Sequence, residues 1–273
     1  MIHVDKSPAP PTWLLRHGPA GRAALEANYD ADPAACHRPG TPALKPLRKV
    51  YAGPAVKQRL RADQHHKCAY CESKFTHSSP GDVEHYRPKA GYQQAEVGPV
   101  LGPGYYWLGY EWNNLLFACE DCNRVHKRNR FPLRAAPDRA QSHHDDLARE
   151  HPLLLNPATC SRPEAHLTFA EETAVGLTVE GETTWRVCGL NRQDLLDTRR
   201  DYLDTVKDQV FLATILNANP PVVDLLTLVE LYGSEEELSR RISAAQLHYE
   251  RLARANAPFA GMVRANFPGL PQQ

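Results

Sequence analysis

Apolar positions change their period along the chain, and the changes divide it. The first fifty residues show no sustained period. Proline-rich stretches at Ser7-Pro-Ala-Pro-Pro11 and Arg38-Pro-Gly-Thr-Pro42 read as loops around one short helix expected near residues 21–29, an arm packing on the rest of the chain or on a partner. Pro54 can open a helix continued by Ala55-Val56-Lys57-Gln58-Arg59-Leu60. Residues 91–104 are Gly, Pro and polar side chains, which predicts a surface loop able to lie over a neighbouring site. Aromatics then cluster in Tyr105-Tyr106-Trp107-Leu108 and Tyr110-Glu111-Trp112; core filling is the first expectation and stacking on unpaired bases the alternative. The run Pro152-Leu-Leu-Leu-Asn-Pro157 predicts a short buried strand or turn. His166-Leu-Thr-Phe169 and Ala174-Val-Gly-Leu-Thr-Val179 have the composition of a β-hairpin. Helical spacing takes over with Leu195, Leu196, Tyr202, Leu203, Val206, Val210 and Phe211, in a helix begun at Asn191 or Asp194 and stopped before Pro220-Pro221. A short helix is expected over 222–232. Ser234-Glu-Glu-Glu237 is a capping box that should open a longer one to about Ala255. The pattern is that of an α+β chain with a β-hairpin and a helical C-terminal third.

Between the Pro54 helix and the 152–157 run, cysteine spacing changes the picture. Cys68/Cys71 and Cys119/Cys122 are two C-x-x-C knuckles, and four thiolates so spaced suit a tetrahedral zinc ion. The knuckles of a zinc ribbon stand roughly 15–20 residues apart; here 47 residues intervene, so something is built inside the loop. Cys36, Cys160 and Cys188 are left over as small buried residues or idle thiols. Within the loop, Glu84-His85 follows the turn Ser79-Pro80-Gly81-Asp82, Asn114 precedes Leu115-Leu116-Phe117, and Asn123 follows the last cysteine.

In type, order and spacing these residues resemble the HNH endonucleases over roughly residues 65–134, and the resemblance implies a zinc-stapled ββα-metal core. Hydrolysing a phosphodiester needs a base for water, a cation for the charge of the transition state and help for the departing oxygen. By this resemblance His85 is the general base, a role suited to a side chain that titrates near neutrality. Glu84 and Asn123 become ligands of a catalytic Mg²⁺ or Mn²⁺, with His126, one helical turn on, as the competing ligand. Asn114 braces the loop that fixes the base, with Asn113 the alternative register. Arg87, Lys89, Arg124, Lys127, Arg128 and Arg130 flank these positions, either as a solvated basic face or as contacts to backbone phosphates.

Charge sharpens the second option. The whole chain is balanced at 32 basic and 32 acidic side chains, yet residues 45–134 carry 15 Lys and Arg against 8 Asp and Glu. A basic segment around the candidate centre with acidic flanks fits nucleic acid meeting one face. No apolar window approaches a membrane span and the N-terminus has no signal-peptide core, so a cytoplasmic location is expected. Outside the core, Tyr106-Trp107-Leu108, Phe131-Pro132-Leu133, Leu154-Leu155-Asn156-Pro157 and Gly189-Leu190-Asn191-Arg192 resemble the HNH proteins of Septu-type and retron-associated anti-phage systems. That resemblance implies an effector nuclease beside an ATPase partner, with the acidic helical C-terminal part as docking surface. No Gly-x-x-x-x-Gly-Lys-Ser/Thr motif occurs here, so ATP hydrolysis would come from the partner. The expected division is an arm over 1–53, an HNH nuclease domain over 54–157 and a hairpin plus helical region over 158–273. The rival class is a non-catalytic zinc module that binds nucleic acid or a protein.

Overall fold

The computed structural model describes residues 1–38, 44–217 and 225–272. The loop signal at Arg38-Pro-Gly-Thr-Pro42, the stop at Pro220-Pro221 and the start of the 222–232 helix fall wholly or in part outside the described residues. The chain divides into two compact units. One holds Met1–Thr168 and Val175–Asn191, the other Phe169–Ala174 and the chain from Arg192 onward. Helices and two small two-stranded sheets combine in the mixed α and β make-up that the apolar pattern predicts. Among the described residues no helix is long and apolar enough to cross a membrane.

The first unit is built on a short antiparallel pair. Strand β1 (Asp82–His85) runs against β2 (Leu115–Ala118) in the register Asp82↔Ala118, Val83↔Phe117, Glu84↔Leu116, His85↔Leu115. All eight residues are buried, and four-residue strands in a lone pair are marginal without outside support. The buried Gln64 supplies part of it. Its Nε2 donates to the Phe117 carbonyl at 2.6 Å while its Oε1 accepts from the Phe117 N–H at 2.7 Å, so one amide stands in for a third strand. Ala69, between the first two cysteines, donates its N–H to the same carbonyl at 2.9 Å. After β2 the chain enters a π-helical turn, Asp121–Lys127, closed by the Arg128 N–H on the Asn123 carbonyl at 2.7 Å.

Two helices reach this centre from the N-terminal side. Helix α1 (Thr12–Ala31) is twenty residues long, well beyond the short helix expected near 21–29. It continues through Pro19, which lacks the N–H that an interior helical position donates. Tertiary packing accounts for the extension. A Cβ at Gly21 would lie 2.8 Å from the Tyr110 ring and one at Gly18 3.2 Å from its Cβ, so these two glycines are what lets the helix approach. Tyr29 then stacks on Tyr106 at 5.3 Å. Helix α2 (Pro54–Asp63) opens at Pro54 as expected and buries Val56 and Leu60 completely. The aromatic cluster is core. Tyr105, Tyr106, Trp107, Tyr110 and Trp112 are at most 6% exposed, which removes base stacking from their possible roles.

Further on, Leu133 bridges to Pro152 and the Leu153 N–H donates to the Pro132 carbonyl at 2.9 Å, so the run expected as a short buried strand or turn is a single bridge and a bend leading into a turn at Pro157. The hairpin forms from β3 (Leu167–Ala170) and β4 (Thr173–Gly176). The second strand stops short of the expected Val179, because Thr178 accepts from the Gly181 N–H and caps helix α3 (Val179–Val187). In the second unit, α4 (Gln193–Asn217), α5 (Leu225–Tyr232), α6 (Glu235–Tyr249) and α7 (Ala260–Asn266) make up the helical third. Ser234 caps α6 from the Glu237 N–H, as the capping box predicts, but the helix ends at Tyr249, ahead of Ala255.

The Gln64 amide provides a direct test of how β2 is held. Gln64→Ala should lower stability by about 1–3 kcal/mol, the cost of leaving a buried donor and acceptor unpaired. Gln64→Glu should lose at least as much, since a carboxylate cannot donate to the Phe117 carbonyl. Equal denaturation midpoints for wild type and both variants would contradict the role.

Candidate active site

Strand β1 and the π-helical turn line one cleft of about 550 Å³. Asp82, Glu84 and His85 come from the strand, Asn123, Arg124 and Arg128 from the turn and its exit. A π-turn bonds an N–H to the carbonyl five positions back rather than four, and such turns collect at functional sites.

His85 closes β1 and is 3% exposed. Its Nε2 lies 2.9 Å from the Gly109 carbonyl, so Nε2 carries the proton and donates it there. The opposite nitrogen, Nδ1, is buried with no hydrogen-bond partner among the described residues. Burial, then the nearby Lys89 ammonium, holds the imidazole pKa well below its ordinary value. The ring also meets Tyr51 edge-on at 4.5 Å. The result is a neutral, oriented imidazole with a free lone pair.

Asn114 holds the chain on either side of this ring. Its Oδ1 accepts from the Arg87 N–H at 2.7 Å, and its Nδ2 donates to the carbonyls of Arg87 and Leu108 at 3.1 Å each. The Asn114 carbonyl also accepts from the Tyr86 N–H at 2.9 Å. The segment after His85 and the turn leading to Gly109 are therefore tied to one side chain. Asn113, its neighbour, carries none of these bonds.

Glu84 is buried and its Oε1 is 2.5 Å from Lys127 Nζ. Lys127 Nζ also donates to the His85 carbonyl at 2.9 Å. Burial raises the Glu84 pKa and the ammonium opposes the rise. Lys127 thus departs from the expectation of a phosphate contact: its side chain is fully buried, and its charge is committed to Glu84 and the strand end. At the mouth of the cleft Asp82 receives two bonds from Arg124, at 2.7 and 2.6 Å, and one from Asn123 Nδ2 at 3.1 Å. With Nδ2 so engaged, the Asn123 Oδ1 is the end left to act as a ligand.

The other sequence candidates separate by position. Lys89, Arg124 and Arg128 line the cleft. Arg87 does not; it pairs with buried Glu150 at 2.9 Å inside a network with Tyr105 and Arg139. Arg130 turns to Glu96 at 3.6 Å. The His126 ring lies against Gly189, where a Cβ would come within 2.3 Å of Nδ1, and it is absent from the cleft lining. A helical reading put it on the face of Asn123; the π-turn rotates it away. Arg48, Lys57 and Asp82 line the cleft without having been singled out. The basic balance of residues 45–134 signals Arg48 and Lys57 only as members of a segment, and Asp82 carries no such signal.

Behind the cleft the four cysteines are buried, with all four sulfurs within 4.8 Å of one another and Cys71 Sγ 3.8 Å from Cys119 Sγ. A tetrahedral zinc with bonds of about 2.3 Å requires sulfurs about 3.8 Å apart. The donor set and spacing can hold zinc. Glu72, with φ of +63°, and its N–H on the Cys68 carbonyl at 3.0 Å make the tight turn of the first knuckle.

No protein-family model matches the chain. It is 30% identical over 222 residues to the Septu protein PtuB of Bacillus mycoides strain KBAB4, covering 79% of this chain and 74% of that protein. The Septu protein PtuA of the same strain is 28% identical over 166 residues, 60% of this chain and 23% of PtuA. An Escherichia coli protein whose name assigns it, provisionally, as the HNH endonuclease of retron Ec83 is 26% identical over 150 residues, 52% of this chain and 54% of that protein. The likeness to PtuB runs over most of both chains, and on that ground this chain belongs to the PtuB family of Septu proteins.

Proposed function

We propose that this chain is a metal-dependent HNH endonuclease that cleaves phosphodiester bonds, DNA ahead of RNA, as an anti-phage effector working beside an ATPase partner. The observation that carries the reading is His85: Nε2–H held by the Gly109 carbonyl, Nδ1 unpartnered, in a cleft lined by Lys and Arg. The relatives named for Septu and for a retron HNH endonuclease support it.

In this reading β1, β2 and the π-helical turn are the ββα-metal core, and residues 54–157 form the nuclease domain between the 1–53 arm and the 158–273 hairpin and helical region. His85 Nδ1 takes the proton from the attacking water. Glu84 and Asn123 Oδ1 are oxygen donors suited to Mg²⁺ or Mn²⁺, which when bound supplies positive charge to the scissile phosphate and the departing oxygen. Asn114 positions His85, and Lys127 positions Glu84 from behind. Lys89, Arg124 and Arg128, with Arg48 and Lys57, neutralise backbone phosphates and read no sequence. Zinc on Cys68, Cys71, Cys119 and Cys122 pins the core. The acidic C-terminal helices are the docking surface for the partner, and the location is cytoplasmic.

Plasmid cleavage by wild type and His85→Ala protein, with Mg²⁺, Mn²⁺ and chelator, tests the chemistry. Wild type should cut only with metal, and the variant should lose about 10²-fold or more. Equal cutting by both removes His85 from the mechanism, and binding without cutting under every metal would favour a non-catalytic zinc module. Metal analysis after mild chelation should find one tightly held zinc per wild-type chain and its loss, with lowered thermal stability, in Cys119→Ser; full retention in that variant would exclude the four-cysteine site. Lys127→Met should destabilise by about 3–5 kcal/mol by stranding the buried Glu84, whereas Arg124→Ala, which breaks a half-exposed pair, should cost about 1 kcal/mol or less. Similar denaturation midpoints for the two variants would refute the positioning role of Lys127.

A further inference from the structure

Away from the cleft, three ligand-bearing side chains meet on the first unit. Asp30 sits on the last turn of α1, and His143 and His144 lie in the chain beyond Arg139. Their ligand atoms all fall within 4.8 Å of one another. Asp30 Oδ1 is 2.8 Å from His144 Nε2, and Oδ2 is 3.5 Å from His143 Nε2. A tetrahedral ion with N and O ligands at about 2.0–2.1 Å sets its donors about 3.3–3.4 Å apart. Both carboxylate–imidazole separations are already near that spacing.

His143 is also held through its other ring nitrogen. Its Nδ1 is 2.7 Å from the hydroxyl of Tyr106, a residue with no exposed surface, and the Tyr29 and Tyr106 rings each stand edge-on to the imidazole at 5.9 Å. An imidazole whose Nδ1–H donates to that oxygen carries its lone pair on Nε2, the atom beside Asp30. Metal-binding histidines are oriented in this way, by a bond from the other ring nitrogen. The two imidazoles are also 4.0 Å apart, centre to centre.

We propose that Asp30, His143 and His144 form a second metal site, taking a zinc-class divalent transition ion through two nitrogens and a carboxylate, with a position open to water. Imidazole donors select such an ion over Mg²⁺. The ion ties the end of α1 to a loop 114 residues away in the chain, and so acts as a clasp on the N-terminal helix.

Calorimetric titration of the purified full-length protein with Zn²⁺, its four-cysteine zinc left in place, tests the site. Wild type should take up one more equivalent than the His143→Ala/His144→Ala double variant, and added Zn²⁺ should raise the melting temperature of wild type alone. His144→Gln changes a well-exposed side chain, 64% accessible, and should keep the zinc-free melting temperature while weakening binding at least tenfold. Equal zinc uptake by wild type and both variants would overturn the site, as would an equivalent taken up equally from Mg²⁺.

Discussion

The pairing of β1 with β2 is the constraint on which everything else in the first unit rests. Two four-residue strands cannot persist on their own backbone bonds. They are held from one side by the Gln64 amide and Ala69 on Phe117, and from the end by cysteines that flank β2 and reach back to the knuckle before β1. Because His85 and Glu84 are the last residues of one strand and Asn123 lies just past the other, whatever fixes the strand register also fixes the candidate chemistry.

Burial then does the electrostatic work. The same desolvation that keeps His85 neutral raises the Glu84 pKa, and it would make Glu84 a poor anion without Lys127 at its side. Lys127 joins the two effects, with one bond to the carboxylate and another to the His85 carbonyl. Asp82 plays the corresponding part at the mouth, where it orders Asn123 and Arg124. Basic side chains in the segment therefore fall into two kinds. Some face the cleft, and others, such as Lys127 and Arg87, neutralise buried carboxylates.

Where sequence periodicity and structure part, packing is the reason. Gly18, Pro19 and Gly21 argue locally against a helix, yet α1 runs through them because Tyr110 fits only against a residue without a side chain. The spacing of His126 from Asn123 is right for a shared α-helical face, but the turn winds with five residues per bond and sends the ring to Gly189. Asp30, 114 residues from His144, carries no local signal for its neighbour at all.

Knuckle spacing, the Glu84-His85 and Asn114-Leu115 dyads, the Ser234 cap and the apolar pattern are local features, and the sequence alone determined them, together with the mixed α and β make-up and the four cysteines whose spacing can hold zinc. Their chemistry depends on residue type and on neighbours a few positions away. Tertiary structure alone decided which nitrogen of His85 is free, that Lys127 is buried against Glu84, and that Arg48 and Lys57 share a cleft with Asp82. Those outcomes depend on desolvation and on contacts between residues far apart in the chain, and neither is encoded in spacing along it.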